Sequence, residues 1–477
     1  MSPRSIPVAF KRLSSTFTAK AIPSRSHFHA PIPDAAFPKG YLLTGLYVGV
    51  KKKPDVLDLA LILSTTSRPA SAAGCFTRNA FKAAPVIVSE EVLGTSQGRA
   101  RAVVVNSGCA NAVTGTDGLL DAWAMVRATD ALLEPLPEQE QQHNQTLVMS
   151  TGVIGQPLPI DKILAGIASQ SLKSAPSTSS LGSGFDAWER AAQAFMTTDT
   201  FPKVRARTFS IRGKEYRMAG MDKGAGMLHP DMGPPRPTGG QLHATLLGCI
   251  LTDAAVSPRS LQSALTYAID RSFNSISVDG DMSTNDTILA LANGAAAEDP
   301  ANPAASVQEI DEETDAEGYE VFKNELTAFT IDLAKLIVRD GEGATKFVTV
   351  NVQGAPTYAD ARKVASRIST SALVKTALYG EDANWGRILA ATGSIRISEE
   401  FVPSRVSVSF VPVDGTSPLP VLVNGEPQKV DEARATEIVS AADFEIKLEL
   451  GLGEESAQYW TCDFSYEYVR INGDYRT

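Results

Sequence analysis

The chain has 477 residues, of which 43% are hydrophobic, and a formal net charge of −10. Its pI near 5.2 argues against a nucleic-acid partner, because an acidic chain offers no broad basic surface to neutralise phosphates. The length exceeds what one hydrophobic core usually organises, so two domains or two halves are expected.

The composition also argues against membrane and metal-dependent classes of protein. No apolar run reaches the roughly 18–20 residues that a membrane span needs, so we predict no membrane partner. The four cysteines lack CxxC spacing and the five histidines lack an HExxH pair, the patterns typical of zinc sites. We therefore expect no bound metal and no other bound cofactor.

The first thirty residues differ in composition from the rest of the chain. They are rich in serine and basic side chains, and the first acidic residue is Asp34. This composition is typical of a mitochondrial transit peptide, with a disordered basic tail as the alternative. We predict that residues 1–33 are removed on import into the mitochondrial matrix.

Hydrophobic periodicity predicts strands and long helices along the rest of the chain. The predicted strands are Pro85–Val88, Arg101–Val105, Thr146–Met149, Ala244–Leu251, Ile288–Ala292, Phe347–Val352, Val406–Val411, Phe444–Leu450 and Tyr459–Tyr468. The predicted helices are Asp117–Leu133, Ile160–Ser171, Ser183–Thr197, Ser257–Asn274, Glu320–Val338, Tyr358–Thr376 and Glu432–Ala442. This pattern indicates the mixed α and β class.

Thr245 stands directly before an apolar run and after the turn-rich stretch Gly233–His243, which has neither helical nor strand periodicity. A threonine that is the first residue of a chain can use its own α-amine, with a pKa of about 7.7–8.0, as the base that activates its hydroxyl. This chemistry requires a break between Ala244 and Thr245. A simple strand start is the alternative.

Short motifs in a fixed order accompany Thr245 along the chain. They are Asn106-Ser-Gly-Cys-Ala-Asn111, Ser150-Thr-Gly-Val-Ile-Gly155, Met196-Thr-Thr-Asp-Thr-Phe-Pro-Lys203, Lys223-Gly-Ala-Gly-Met227, His229-Pro-Asp-Met232, Ala244-Thr-Leu-Leu-Gly248, Thr252-Asp-Ala254, Asp340-Gly-Glu-Gly-Ala-Thr-Lys346, Tyr379-Gly-Glu-Asp-Ala-Asn-Trp-Gly386 and the C-terminal run Tyr468–Thr477. From about Pro38 onward, the chain resembles the fungal-type mitochondrial members of the bifunctional ornithine acetyltransferase (glutamate N-acetyltransferase) family of arginine biosynthesis.

The resemblance implies a fold and a processing event. The implied fold is a layered α/β/β/α sandwich of the self-processing aminopeptidase and ornithine acetyltransferase type. The implied event is self-cleavage between Ala244 and Thr245, which gives an α chain of residues 34–244 and a β chain of residues 245–477 in an α2β2 assembly. Removal of residues 233–243 would restore the uninterrupted family form of the cleavage region, so this insertion is the main departure.

The resemblance also implies a reaction. Acetyl passes from N-acetylornithine to glutamate through an acetyl-Thr245 intermediate, and a second activity makes N-acetylglutamate from acetyl-CoA and glutamate. Two alternatives stay open at this point. The same nucleophile could serve an N-terminal-nucleophile amidohydrolase or aminopeptidase, or the insertion at residues 233–243 could leave an uncleaved, inactive homologue.

The family motifs supply candidate roles for residues around the nucleophile. Thr151 and Gly152, which follow the predicted strand ending at Met149, are implied to form the oxyanion hole, with a strand-ending turn as the alternative. Lys223 is implied to anchor a substrate carboxylate, with a surface charge as the alternative. Thr197 is implied to contact substrate. Thr198 is its rival, and helix capping is the competing interpretation.

The remaining candidates lie in the C-terminal half. Glu342 is implied to meet the cationic amine of ornithine, and Asp340 is its nearest rival. Asn472 and the terminal Thr477 match the family's C-terminal site residues, although many chain termini are simply frayed. Thr245 itself is also expected to contact the substrate.

Overall fold

The computed structural model describes residues 20–135, 143–173, 177–235, 246–298 and 307–474. Its strands are β1 (Tyr41–Leu46), β2 (Leu59–Ser64), β3 (Ala70–Thr77), β4 (Arg99–Ala100), β5 (Ala102–Cys109), β6 (Thr146–Val153), β7 (Lys203–Ile211), β8 (Lys214–Lys223), β9 (Met232–Gly233), β10 (Leu247–Thr252), β11 (Ile276–Ser277), β12 (Thr287–Ala292), β13 (Phe347–Ala355), β14 (Ser407–Pro412), β15 (Leu419–Val423), β16 (Glu426–Pro427), β17 (Asp443–Glu449) and β18 (Glu455–Cys462). Its helices are α1 (Ala84–Thr95), α2 (Gly115–Asp130), α3 (Ile160–Ala168), α4 (Phe185–Phe195), α5 (Pro258–Asp270), α6 (Ala316–Arg339), α7 (Tyr358–Ser369), α8 (Ala372–Tyr379), α9 (Trp385–Gly393), α10 (Glu432–Ser440) and α11 (Tyr466–Asp474).

The strands form three sheets. The first has the order β1-β2-β5-β6, and the second has the order β4-β3-β12-β10-β8-β7, with β9 paired to β3. The third has the order β11-β18-β13-β17-β14-β15-β16. Strand β10 lies in the interior of the second sheet, antiparallel to β8 and parallel to β12.

The first two sheets pack in a layered arrangement. Helices α2 and α3 contact each other and the first sheet, while α1 and α4 pack on its edge strands β6 and β1 and also reach the second sheet. Side chains of both sheets share one buried cluster, and the opposite face of the second sheet packs against α5 and α6 in another. The α/β/β/α layering implied by the resemblance is confirmed.

The third sheet has a core of its own. Alternate residues of β13, β14 and β17 pack against α7, α8, α9 and α10, and β18 joins this sheet to α6. A mixed fold with more than one core agrees with the expectation from chain length. Among the described residues, no helix combines the length and the apolar character needed to cross a membrane.

Three predicted elements differ in the structure. The predicted strand Pro85–Val88 is the first turn of α1, where Pro85 occupies an early helical position that tolerates a missing N–H. The predicted helix Tyr358–Thr376 is interrupted before Ala372, because Ser371 accepts a hydrogen bond from Val374 N–H and caps a new helix. The predicted strand Tyr459–Tyr468 ends at Cys462, and its last residues belong to α11.

Candidate active site

The chain enters the second sheet beside a buried carboxyl group. Leu246 N–H donates to Asp286 Oδ1 (2.9 Å), and Thr287 N–H donates to Leu246 O (2.9 Å). Leu247 then pairs in register with Lys223, the last residue of β8. Leu246, the first described residue after the predicted cleavage point, therefore lies next to the end of β8.

Three sequence-predicted site residues cannot be compared with the structure. Ala244, Thr245 and Thr477 lie outside the described residues. Their roles remain predictions.

Lys223 is buried and joins the first two sheets. Its side chain is 2% exposed, and Nζ donates to Thr151 Oγ1 at 3.2 Å. Burial lowers the pKa of Lys223, against the opposing effect of Asp199. Because a lysine ammonium only donates, the Thr151 hydroxyl accepts this bond and is oriented to donate its own proton to a second acceptor. That geometry suits an oxyanion-hole donor.

Gly152 occupies a position that only glycine can fill. Its φ of +124° lies outside the region open to L side chains, and an added Cβ would lie 2.4 Å from the carbonyl carbon of Gly108. The cause is an irregular register between β5 and β6 around Cys109. Strand β6 continues through Val153, so Thr151 and Gly152 lie within its distorted end and not in a turn after it.

Glu342 lies against the glycine-rich segment that follows Lys223. Glu342 N–H donates to Ala225 O (2.8 Å), and a Cβ at Gly226 would lie 2.4 Å from the Glu342 carboxylate. Asn472 Nδ2 donates to Glu342 Oε2 (2.7 Å). The predicted Glu342 and Asn472 are therefore in direct contact, although 130 residues separate them in sequence.

A second carboxylate, Asp279, supports the same segment and was not predicted from the sequence. It accepts hydrogen bonds from Met227 N–H (2.6 Å) and Leu228 N–H (2.8 Å). Tyr468 Oη also donates to it, at 3.2 Å. Tyr468 belongs to α11, which carries Asn472, so Asp279 fixes both the segment and the C-terminal helix.

Beneath the glycine-rich segment lies a buried ion cluster. Lys203 Nζ donates to Asp199 Oδ1 and to Asp340 Oδ2, both at 2.6 Å, and all three side chains are fully buried. Thr200 N–H and hydroxyl also donate to Asp340. Asp340, the sequence rival of Glu342, is thus occupied by internal partners. The sequence contains one indication of this cluster, because Asp199 and Lys203 stand four residues apart in the Met196–Lys203 motif.

Asp199 connects the ion cluster to two predicted site segments. It accepts from Thr197 N–H (3.0 Å) and from Gly224 N–H (2.8 Å). Helix α4 ends at Phe195, so Thr197 lies in the following loop. Burial pushes the pKa of Asp199 upward, but the Lys203 and Lys223 ammonium groups outweigh burial and hold the pKa below its ordinary value.

Asp286 is the buried acid that accepts a hydrogen bond from Leu246, the first described residue after the predicted cleavage point. Burial raises its pKa to about 7, despite stabilisation of the carboxylate by Leu246 N–H, Ser283 and Lys223. Its Oδ2 forms no hydrogen bond of normal geometry with any described residue. Sequence patterns gave no indication of Asp286, because its environment is created by the sheet.

The predicted residues converge on one short segment. Residues 223–226 contact Thr151 through Lys223, Asp199 through Gly224, and Glu342 through Ala225 and Gly226. A cationic side chain, a hydroxyl beside a strained glycine, and a carboxylate thus lie along this segment, whose first residue pairs with Leu247 of β10. Within the described chain, no three His, Cys, Asp or Glu side chains are grouped so as to hold a metal ion.

Comparison with known proteins relates this chain to one family. A model of the ArgJ family matches residues 42–477. The arginine biosynthesis bifunctional protein ArgJ, mitochondrial, of Postia placenta is 71% identical over 472 residues, covering 99% of each chain. The protein of the same name from Cryptococcus neoformans is 51% identical over 483 residues, covering 99% of this chain and 98% of the relative.

A solved structure is also similar. The crystal structure of arginine biosynthesis bifunctional protein ArgJ from Bacillus halodurans is 37% identical, with a TM-score of 0.41, and covers 47% of this chain and 96% of its own. Taken with the family model, the relatives identify an acetyltransferase of arginine biosynthesis. The chain belongs to the ArgJ family.

The ion cluster leads to a prediction about stability. Lys203→Met leaves two buried carboxylates without their shared cation, so we expect the variant to lose about 3–5 kcal/mol of unfolding free energy. Chemical denaturation of both proteins measures the difference, with the exposed Lys52→Met as the matched control. A loss below about 1 kcal/mol, the size typical of a surface pair, would contradict this role for Lys203.

Asp286 leads to a prediction about pH. Between an unfolded-state pKa of about 3.9 and its folded-state pKa of about 7, the folded protein retains a proton that the unfolded chain has released. Its contribution to stability is therefore greatest below pH about 4, falls as the pH rises to about 7, and is then constant. In Asp286→Asn this pH-dependent loss of stability should be absent.

Thermal unfolding of wild type and Asp286→Asn from pH 5 to 8 measures the effect. As the pH rises to about 7, the melting temperature of the wild type should fall relative to that of Asp286→Asn, and above pH 7 the difference should stay constant. Asp55→Asn, at an exposed loop position, is the control. If the melting temperatures of wild type and Asp286→Asn depend on pH in the same way, the titration of a buried Asp286 is ruled out.

Proposed function

We propose that the chain cleaves itself between Ala244 and Thr245 and transfers acetyl from N-acetylornithine to glutamate through an acetyl-Thr245 intermediate. The observation that carries this proposal is the register of β10. Leu247 pairs with Lys223, whose ammonium is bonded to Thr151. Thr245 precedes Leu247 by two residues in sequence, so we propose that the new N-terminus forms close to the ends of β8 and β6.

The proposed reaction has two halves. The Thr245 hydroxyl attacks the acetyl carbon of N-acetylornithine, and the α-amine of Thr245 takes the hydroxyl proton. The C–N bond of N-acetylornithine then breaks, and ornithine leaves with that proton. The glutamate amine then attacks the acetyl ester, N-acetylglutamate leaves, and the Thr245 hydroxyl is restored. Thr151 hydroxyl and Gly152 N–H stabilise the oxyanion in both halves.

The substrate anchors follow from charge. Lys223 supplies a cation for the substrate carboxylate. Glu342, held by Asn472 and by the absence of a side chain at Gly226, supplies a carboxylate for the ornithine amine. Thr197 and Thr477 are proposed as further substrate contacts. The preference for Thr197 over Thr198 gains support from the Thr197 N–H bond to Asp199.

The wider assignments follow from family membership. The second activity makes N-acetylglutamate from acetyl-CoA and glutamate, with acetyl-CoA as a co-substrate and no bound cofactor. The fungal relatives carry names that describe mitochondrial bifunctional proteins, and we assign this chain to the mitochondrial matrix. Its α and β chains, residues up to 244 and 245–477, are proposed to associate as α2β2.

The number of residues between Gly233 and Leu246 exceeds what is needed to connect these two described positions. Gly233 pairs with Phe76, Phe76 pairs with Thr287 on its other side, and Thr287 bonds Leu246. These anchors are about three strand spacings, or about 14 Å, apart. The thirteen residue steps between Gly233 and Leu246 can span at most about 43 Å. Chain length alone therefore does not prevent the proposed cleavage.

Hydrolysis is the second candidate, because water could accept the acetyl group from Thr245. The Glu342–Asn472 pair beside Lys223 favours an amino-acid ligand over water. Purified enzyme is incubated with N-acetylornithine, with and without glutamate. Ornithine release that depends on glutamate supports transfer, whereas equal acetate release in both samples supports a hydrolase.

Self-cleavage gives the first prediction for this function. Intact-mass spectrometry should find two fragments in wild type, one beginning with Thr245. Thr245→Ala should stay uncut and lose exchange activity, because the hydroxyl that attacks the bond is absent. Thr238→Ala, a nearby threonine within the insertion, is the control and should cleave normally. Wild-type chain that stays intact over days contradicts the mechanism.

The second prediction concerns the ornithine amine. Glu342→Gln removes the negative charge opposite that amine, so we expect the KM for N-acetylornithine to rise by at least about tenfold. The rate with acetyl-CoA should change less, because acetyl-CoA brings no ornithine amine. Glu325→Gln, which removes a surface partner of Arg207, is the control. Equal losses with both donors would assign Glu342 a different role.

A further inference from the structure

Arg25 is a buried arginine in the segment that composition assigns to the transit peptide. Its guanidinium donates to Asp340 Oδ1 (3.1 Å) and to Ala344 O (2.6 Å). These two acceptors lie on either side of Glu342 in the chain. Arg25 thus spans the loop that carries the proposed ornithine-binding carboxylate.

Neighbouring residues hold this N-terminal arm, residues Lys20–Phe28, against the same part of the molecule. Lys20 Nζ donates to Tyr379 O (2.6 Å) and pairs with Glu381 (2.7 Å). Phe28 O accepts from Arg205 Nη2 at 3.0 Å. The arm is therefore anchored at both ends as well as at Arg25.

The charge of the ion cluster also depends on the arm. Asp199 and Asp340 carry two negative charges, and Lys203 supplies one buried positive charge. Arg25, with a side chain only 7% exposed, supplies a second cation to Asp340, while the Lys223 ammonium also acts on Asp199. Because a buried charge needs a partner, Arg25 stabilises the Asp340 side of the cluster.

We propose that the import protease cuts upstream of Arg25, so that Arg25 remains in the mature enzyme, and that Arg25 positions the Glu342 loop. This boundary replaces the one after residue 33 expected from composition. After cleavage before Thr245, Arg25 belongs to the α chain and its acceptors belong to the β chain. The arm then joins the two chains at the substrate loop. The positioning role, but not the boundary, rests on the proposed function of Glu342.

The boundary is tested on enzyme purified from mitochondria that import the full-length precursor. Intact mass and N-terminal peptide mapping identify the first residue of the mature α chain. A first residue at or before Arg25 supports the proposal, and a first residue after Arg25 overturns it. This measurement is independent of catalysis, so it stands even if the proposed function fails.

The positioning role is tested with Arg25→Ala in the full chain. Asp340 keeps Lys203 and Thr200 as partners, so we expect a folded protein. Its KM for N-acetylornithine should rise about tenfold, because the Glu342 loop is less well positioned. Its kcat should stay within about twofold, and the acetyl-CoA reaction should be unchanged.

Two further variants complete the test. Arg25→Lys keeps the charge and should recover part of the KM, whereas Ser26→Ala, at an exposed position of the arm, should match wild type. An unchanged KM for Arg25→Ala, or an equal loss with N-acetylornithine and acetyl-CoA, overturns the positioning role. If the wild type itself shows no exchange activity, the proposed function fails, while the mature N-terminus still decides the boundary.

Discussion

The bond of Lys203 to both Asp199 and Asp340 is the interaction on which the site depends. One ammonium group buried between two carboxylates is tolerated only if each charge is paired and hydrogen-bonded. Here Asp340 receives Lys203, the N–H and hydroxyl of Thr200, and Arg25. Lys203 and Arg25 thus both pair with Asp340, and the Lys223 ammonium also acts on Asp199. The attraction between these charges fixes the loops that carry Thr197, Gly224 and Glu342.

Each of these loops carries a proposed functional group. Asp199 holds the main chain at Thr197 and at Gly224, and Asp340 begins the loop that carries Glu342. Because Asp199 and Lys203 precede the proposed cleavage point and Asp340 follows it, the same bonds would join two separate chains after cleavage. An enzyme that cuts its own backbone within a site needs such contacts, since the peptide bond no longer links the two parts.

Local patterns in the sequence predicted much of the fold but little of its arrangement. Helices α2, α3, α5 and α6 follow from their periodicity, and β12, β13 and β17 follow from β-branched runs. Pro85–Val88 was wrong because a four-residue apolar run fits a strand and a helix turn equally well. The separate core of the third sheet depends on pairings such as β13 with β18, which are distant in sequence.

The residues of the candidate site were likewise predicted only in part. Lys223, Thr151, Gly152, Glu342 and Asn472 were named because they stand in recognisable motifs. Asp279 and Asp286 were not, because a carboxylate in a sequence gives no indication of its partners. The pairing of Lys203 with Asp340 crosses 137 residues, so only the folded chain reveals why Asp340 is a structural residue and Glu342 is the one turned toward the glycine-rich segment.

Burial affects both Lys223 and Asp286 at the start of β10, and it shifts their pKa values in opposite directions. It lowers the pKa of Lys223 and raises that of Asp286, so both groups are displaced toward their neutral forms. Lys223, Leu246 and Asp286 are all buried, so these surroundings are poorly solvated. Hydrogen-bond donors are stronger in such a place than in water, because little solvent competes for the acceptor. The Thr151 hydroxyl, which we propose as an oxyanion-hole donor, is bonded to Lys223 in these surroundings.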